Sequence, residues 1–127
     1  VIHIDFTEPY SARLRAALIQ SGRALNLEIS ERGVYGATQG PRLESAAEID
    51  RLERDGCDLV GMTGMPEAAL AREAAIDYAS LCVVANQAAG RGEGVITMEE
   101  IERALEGGLE RARRLLHQTL ADTPSEP

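Results

Sequence analysis

The sequence predicts an α/β layered fold in which strands alternate with helices. A continuous apolar run over residues 79 to 85 (Ala-Ser-Leu-Cys-Val-Val-Ala) reads as a central strand covered on both faces. Amphipathic segments at helical spacing lie between it and the other strand candidates. Small and polar residues gather where the strand candidates end, which is where ligands bind in open α/β sheets. With 127 residues, 44% of them hydrophobic, the chain has the size of one domain with its own core.

Val1-Ile2-His3-Ile4 reads as a strand already under way, with no initiator Met before it, so a fragment of a longer domain is expected. Pro9 suits a helix start, and Leu14, Ala17, Leu18, Ile19 and Leu25 follow at helical spacing, which predicts a helix over residues 10 to 24. Leu27-Glu28-Ile29 and Gly33-Val34-Tyr35-Gly36-Ala37 alternate apolar with small or polar residues, the pattern of two short strands or one strand pair. Thr38-Gln39-Gly40-Pro41-Arg42 is a loop, because Gly and Pro interrupt regular structure and Pro lacks the N–H that a central strand needs. Residues 45 to 55 return to a helix through Ala46, Ile49 and Leu52, opened by a Ser45/Glu48 capping box and stopped at Gly56. Asp58-Leu59-Val60-Gly61-Met62 follows as a short buried strand.

Pro66-Glu67 opens a third helix through Leu70 and Ala74, with proline at the first helical position and a carboxylate in the first turn. Beyond the apolar run, Gly90, Gly92 and Gly94 mark a flexible loop. Thr97-Met98-Glu99-Glu100 is a second capping box and leads into a long helix with an apolar stripe at Ile101, Leu105, Leu109, Ala112 and Leu116. Residues 121 to 127, polar and proline-bearing, are expected to form a disordered tail.

Composition closes several function classes. The net charge is −8, from 13 basic and 21 acidic residues, which leaves no basic face for nucleic acid. All 13 basic residues are Arg, so a phosphate-loop lysine, a Schiff-base lysine and a lysine general base are excluded by inventory. Cys57 and Cys82 sit in apolar contexts without a Cys-x-x-Cys spacing, which fits a reducing cytoplasm. No run approaches the roughly 18 apolar residues that a membrane span requires, so no membrane partner is expected.

Three polar clusters at strand ends remain: residues 38 to 44, 61 to 67 and 85 to 90. The first two carry Gly40-Pro41-Arg42-Leu43-Glu44 with Ala47-Glu48, and Gly56-Cys57-Asp58-Leu59-Val60-Gly61-Met62-Thr63-Gly64-Met65-Pro66-Glu67-Ala68. These segments closely resemble the paired Gly-Pro-x-x-Glu and Gly-Met-(Ser/Thr)-x-x-Pro-Glu motifs of trimeric purine nucleoside phosphorylases, in sequence and in spacing. His3-Ile4 through Glu8-Pro9 is similar to the matching segment of methylthioadenosine phosphorylases. The resemblance implies a three-layer nucleoside phosphorylase fold with a mixed sheet flanked by helices, residues 1 to 120 forming the carboxyl-terminal part of that domain. It also implies a homotrimer, and inorganic phosphate as co-substrate with no metal or other cofactor.

In such enzymes phosphate attacks C1′ of a nucleoside and the purine departs, so the protein positions phosphate, holds the sugar and absorbs negative charge on the base. By the resemblance, Met62 lines the ribose and the Thr63 hydroxyl donates to phosphate. Taken alone, Met62 is more often a core residue, since methionine commonly fills core gaps, and Thr63 is equally an N-cap for the helix after Pro66. Asn86, with Gln87 and Ala88, occupies the base-reading position, where adenine-specific members carry Asp at both 86 and 88 by resemblance. An Asn amide supplies two donors suited to O6 and N7 of a 6-oxopurine, and is the group expected to stabilise the departing base. The alternative for Asn86 is a turn residue bonding its own backbone.

Leu43 falls where the family usually stacks an aromatic side chain on the purine, a departure from the pattern. Glu44 either reads the base edge or begins the next helix. His3 is placed by resemblance near the 5′ substituent of a nucleoside in a neighbouring subunit; a lone strand histidine is otherwise structural. Met98, beside the Thr97 cap, is expected to help close the 5′ pocket. Arg42 binds phosphate or braces its loop against Glu48, while Arg72 and Arg91 are expected in solvent and His117 in a structural role. The expected reaction is phosphorolysis of 5′-methylthioinosine to hypoxanthine and 5-methylthioribose 1-phosphate. The alternatives are action on methylthioadenosine, action on inosine or guanosine, and a catalytically incomplete oligomerisation or nucleotide-sensing domain. The last is open because the family's amino-terminal phosphate loops have no counterpart here, so this chain by itself is expected to be inactive.

Overall fold

The structure is a computed structural model that describes residues 3–123; Val1 and Ile2 of the expected first strand and the last four residues of the expected tail lie outside the described residues. In order along the chain come α1 (Ala12–Ala24), β1 (Tyr35–Ala37), α2 (Ala46–Arg54), β2 (Leu59–Gly61), α3 (Glu67–Glu73) and α4 (Met98–Asp122). The chain forms two compact units, one of residues 1–31, 64–82 and 109–127, the other of residues 32–63 and 83–108. Among the described residues no helix is long and apolar enough to cross a membrane.

In the first unit, Ser11 caps α1 by accepting from the Leu14 N–H at 3.3 Å, which replaces a partner that every helix start lacks. Arg13 pairs with Asp77 at 2.6 Å, and the Ser11 N–H donates to the Tyr78 carbonyl at 2.7 Å, joining the start of α1 to the segment after α3. The core lies on the opposite side of α1. A methyl group on buried Gly22 would sit 2.6 Å from Ile29 Cδ1 and 3.7 Å from Leu115 Cδ1, so the absence of a side chain lets these elements close up. Leu115 is 2% exposed, and buried Thr119 is satisfied by donating to the Leu115 carbonyl at 2.8 Å.

The second unit is built on β1 and β2, which pair in parallel in the register Tyr35↔Leu59, Gly36↔Val60 and Ala37↔Gly61. Parallel strands require a crossover, and α2 supplies it, burying Ile49 at 5% exposure. The predicted capping box is present: the Ser45 hydroxyl accepts from Glu48 N, and Glu48 accepts from Ser45 N at 2.7 Å. The Val34 N–H donates to Asp58 Oδ2 at 2.7 Å, extending the pairing past the start of β1.

Several expectations are corrected. Residues 27–29 and 79–85 form no ladder among the described residues. The second segment keeps the two-residue alternation of an extended chain, with Leu81, Val83 and Ala85 partly covered, but Val84 is 74% exposed and Cys82 also faces solvent. An apolar run reports the capacity for burial and not a hydrogen-bonded neighbour. Pro66 stands at the N-cap of α3, not at its first helical residue. On α4 the covered positions are Ile101, Leu105, Gly108, Ala112, Leu115, Gln118 and Thr119, whereas Leu109 and Leu116 are exposed. Two successive steps of four rotate a helical stripe by about 80°, whereas alternating steps of four and three hold it in place. The helix also continues through Asp122, past the boundary expected at residue 120.

Candidate functional site

The parallel register brings the carboxyl ends of β1 and β2 side by side, with Ala37 opposite Gly61. The loops that leave these ends hold the first two sequence clusters, and the pairing continues into them as the Thr38 N–H donates to the Gly61 carbonyl at 2.9 Å. Thr38 Oγ1 also donates to Glu44 Oε1 at 2.6 Å, with the Gly61 carbonyl at 3.3 Å. Glu44 is thereby fixed in the loop, partly covered, ahead of the α2 cap at Ser45.

Gly40 lies over Met62. Its φ of +60° is one that side chains disfavour, and a methyl group there would stand 2.6 Å from Met62 Sδ. Met62 is half-buried in this position, while Leu43 nearby in sequence is 46% exposed. Thr63 does not cap α3, whose N-cap Pro66 makes no side-chain bond. Instead its hydroxyl lies 3.2 Å from the Tyr35 hydroxyl, and its N–H donates to the same Tyr35 oxygen at 3.2 Å. A side chain at Gly61 would overlap the Tyr35 ring, so the bare backbone there gives the phenol its path to Thr63.

Arg42 braces its own loop: its two terminal nitrogens each reach a Glu48 carboxylate oxygen at 2.9 Å. This guanidinium, and after it the Ser45 N–H and hydroxyl, holds the Glu48 carboxyl far below the ordinary glutamate range. The same pair raises Arg42 above its usual value.

The third cluster lines an open concavity of about 340 Å³. Asn86, Gln87 and Ala88 form one part of its wall, and Glu93, Val95 and Glu100 contribute others. Asn86 is exposed and its Nδ2 donates to the Gln87 carbonyl at 2.8 Å. The segment is tied to α2 by Arg91, which reaches Asp50 at 2.9 Å and Glu53 at 2.5 Å. Asp50 first, then Glu53, raise the Arg91 guanidinium above its usual value.

Arg91 is therefore an anchor and not a solvated charge, and Arg72 likewise donates to the Glu8 carbonyl. Met98 stands at the first position of α4, 66% exposed. His3 belongs to the other unit and is exposed, as is His117. Among the described residues no group of three or more His, Cys, Asp or Glu is placed to hold a metal ion. Tyr35, Thr38 and Arg91 were not singled out from the sequence as site residues. The alternation around Tyr35 marks a strand, but only the β1/β2 register carries its hydroxyl to Thr63.

The phosphorylase superfamily description matches residues 1–121. A probable S-methyl-5′-thioinosine phosphorylase of Pseudomonas syringae pv. tomato is 57% identical over 121 residues, covering 95% of this chain and 49% of the relative. A protein of the same description from Xylella fastidiosa is 62% identical over 102 residues, covering 80% of this chain and 41% of the relative. Among solved structures, methylthioadenosine phosphorylase from Schistosoma mansoni in complex with adenine superposes with a TM-score of 0.90 at 25% identity, over all of this chain and half of that one. The chain thus spans about half the length of the curated relatives it matches, and the nucleoside phosphorylase fold expected from the motifs is the fold it has. A match over residues 1–121 that takes in both motif loops and the Asn86 wall leaves one conclusion: the chain belongs to the phosphorylase superfamily.

Proposed function

We propose that the chain supplies the base and sugar side of a purine nucleoside phosphorylase that converts 5′-methylthioinosine and phosphate to hypoxanthine and 5-methylthioribose 1-phosphate. The observation that carries this reading is the concavity wall of Asn86, Gln87 and Ala88, which presents an amide and no carboxylate at positions 86 and 88. The description of the Pseudomonas relative supports the same substrate. A phosphate oxygen bonds to C1′, the electron pair of the C1′–N9 bond passes to the purine, and the proton of the hydrogen phosphate ends on the base. Asn86 donates to N7 or O6 as charge develops there, after its Nδ2 leaves the Gln87 carbonyl. Releasing one exposed hydrogen bond costs about 1 kcal/mol, which binding of the base offsets.

Met62 lines the ribose, Thr63 donates to phosphate, and Glu44 accepts from N1–H of the oxopurine with the carboxylate oxygen that Thr38 leaves free. Gln87 and Leu43 border the base, with His3 of a neighbouring subunit and Met98 at the 5′ methylthio group. The working assembly is a cytoplasmic homotrimer, and phosphate is the only co-reactant. One observation favours a second reading: the Asn86 amide already bonds the adjacent backbone, as a plain turn residue would.

Turnover of methylthioinosine, methylthioadenosine and inosine by the intact protein tests these assignments. Methylthioinosine is expected to give the highest kcat/KM. Preference for methylthioadenosine would refute the base assignment, and equal use of inosine the sugar assignment. Asn86→Asp should move the ratio toward the 6-aminopurine by about tenfold, the size of one gained acceptor and one lost donor pair; an unchanged ratio would leave Asn86 as a turn residue.

A further inference from the structure

We infer that Tyr35 is a positioning residue that orients the Thr63 hydroxyl to donate toward an anion. The inference rests on the reading of Thr63 as a phosphate ligand and adds a residue to it. The Thr63 backbone N–H can only donate, and it donates to the Tyr35 hydroxyl oxygen at 3.2 Å. The same Tyr35 oxygen lies 3.2 Å from Thr63 Oγ1, and one of the two hydroxyls must supply the proton between them.

If Thr63 supplied it, the Tyr35 oxygen would accept twice and its own hydrogen would have no protein partner among the described residues. If Tyr35 supplies it, the phenol oxygen accepts from the backbone N–H, the phenol hydrogen goes to Thr63 Oγ1, and the hydrogen without a protein partner among the described residues is the one on Thr63. The two arrangements differ in which hydroxyl hydrogen is left over, and an anion beside Thr63 selects this one. The Thr63 hydrogen is then left to point away from the pair. An unprotonated phosphate oxygen only accepts, so a threonine already accepting from one side and donating to the other matches it, and the chain of two bonds is mutually reinforcing.

The surrounding fold is shaped to this arrangement. Tyr35 opens β1 and Thr63 lies two residues past the end of β2, so the parallel register sets their separation. Gly61, whose missing side chain would otherwise collide with the phenol ring, completes the path. The exposed face of Thr63 stays open to a ligand.

Titration calorimetry of the intact protein with inorganic phosphate, alongside steady-state kinetics, tests the inference. Tyr35→Phe should weaken phosphate affinity about tenfold, the worth of one charge-assisted bond, and raise the phosphate KM while leaving the nucleoside KM unchanged. Thr63→Val should do the same, and the double variant should be no weaker than Thr63→Val alone, because both remove one relay. If Thr63→Val weakens phosphate and Tyr35→Phe leaves it within twofold, the positioning role is overturned while Thr63 keeps its own. If Thr63→Val has no effect, or the native protein does not bind phosphate, the underlying reading fails and the inference with it. A fall in thermal midpoint in Tyr35→Phe with both KM values moved equally would mark Tyr35 as structural and overturn the inference.

Discussion

Around Thr38 and Thr63 the backbone is pinned by the β1/β2 pairing and the side chains by one another, with Tyr35 on Thr63, Thr38 on Glu44 and Gly40 against Met62. Residues 85–96 have no ladder among the described residues: Asn86 and Gln87 are exposed, the Asn86 amide bonds the adjacent Gln87 carbonyl, and the segment is anchored to α2 through Arg91. The first region is preorganised, so under the proposed function it suits the invariant part of the substrate, phosphate and the sugar. The second can re-aim its side chains at small cost, which under the proposed function suits the part that distinguishes one base from another. Both depend on α2, whose amino end carries the Ser45/Glu48 box beside the first loop and whose later turns carry Asp50 and Glu53 for the second.

That contrast can be broken most severely at Gly40. Gly40→Ala places a methyl group in a backbone conformation unsuited to it and against Met62 Sδ, so a loss of about 3 kcal/mol is expected in urea unfolding. A loss below about 1 kcal/mol would mean that the first region is as adaptable as the second. Ser45→Ala should be milder, about 1 kcal/mol, as for other lost N-caps. It sharpens the comparison because it touches the shared support: amide exchange should quicken in residues 38–44 and in residues 85–94 together. Arg91→Gln should scarcely move the unfolding midpoint, because exposed ion pairs contribute little, yet it should speed amide exchange in residues 85–94 alone. Equal acceleration around Thr38 would show that the two regions are held as one.

Much of this was legible in the sequence where the signal is local. The Ser45-x-x-Glu48 box, the stop near Gly56 and the start of α4 after Thr97 each arise from contacts within a few residues, and each appears in the structure. The motif loops were legible because their glycines and prolines have backbone roles that spacing reveals. Partners across the chain were not. Tyr35 and Thr63 are separated by 28 positions, and Arg91 and Asp50 by 41; only strand register and loop packing bring them together. The segment 79–85 failed in the opposite direction, since its apolar composition carried no information about a pairing strand.

The lysine-free inventory has a consequence for how the loop braces respond to acid and base. Arg42 and Arg91 are raised above a value that already lies beyond ordinary alkaline conditions, so what they contribute is present at lower pH and would fade only above about pH 12. Glu48 is shifted downward, so its contribution is complete above the ordinary glutamate range and fades as pH falls below about 4. The brace on the motif loop is thus one-sided over ordinary conditions: moderate alkali leaves it closed, and acid unlatches it.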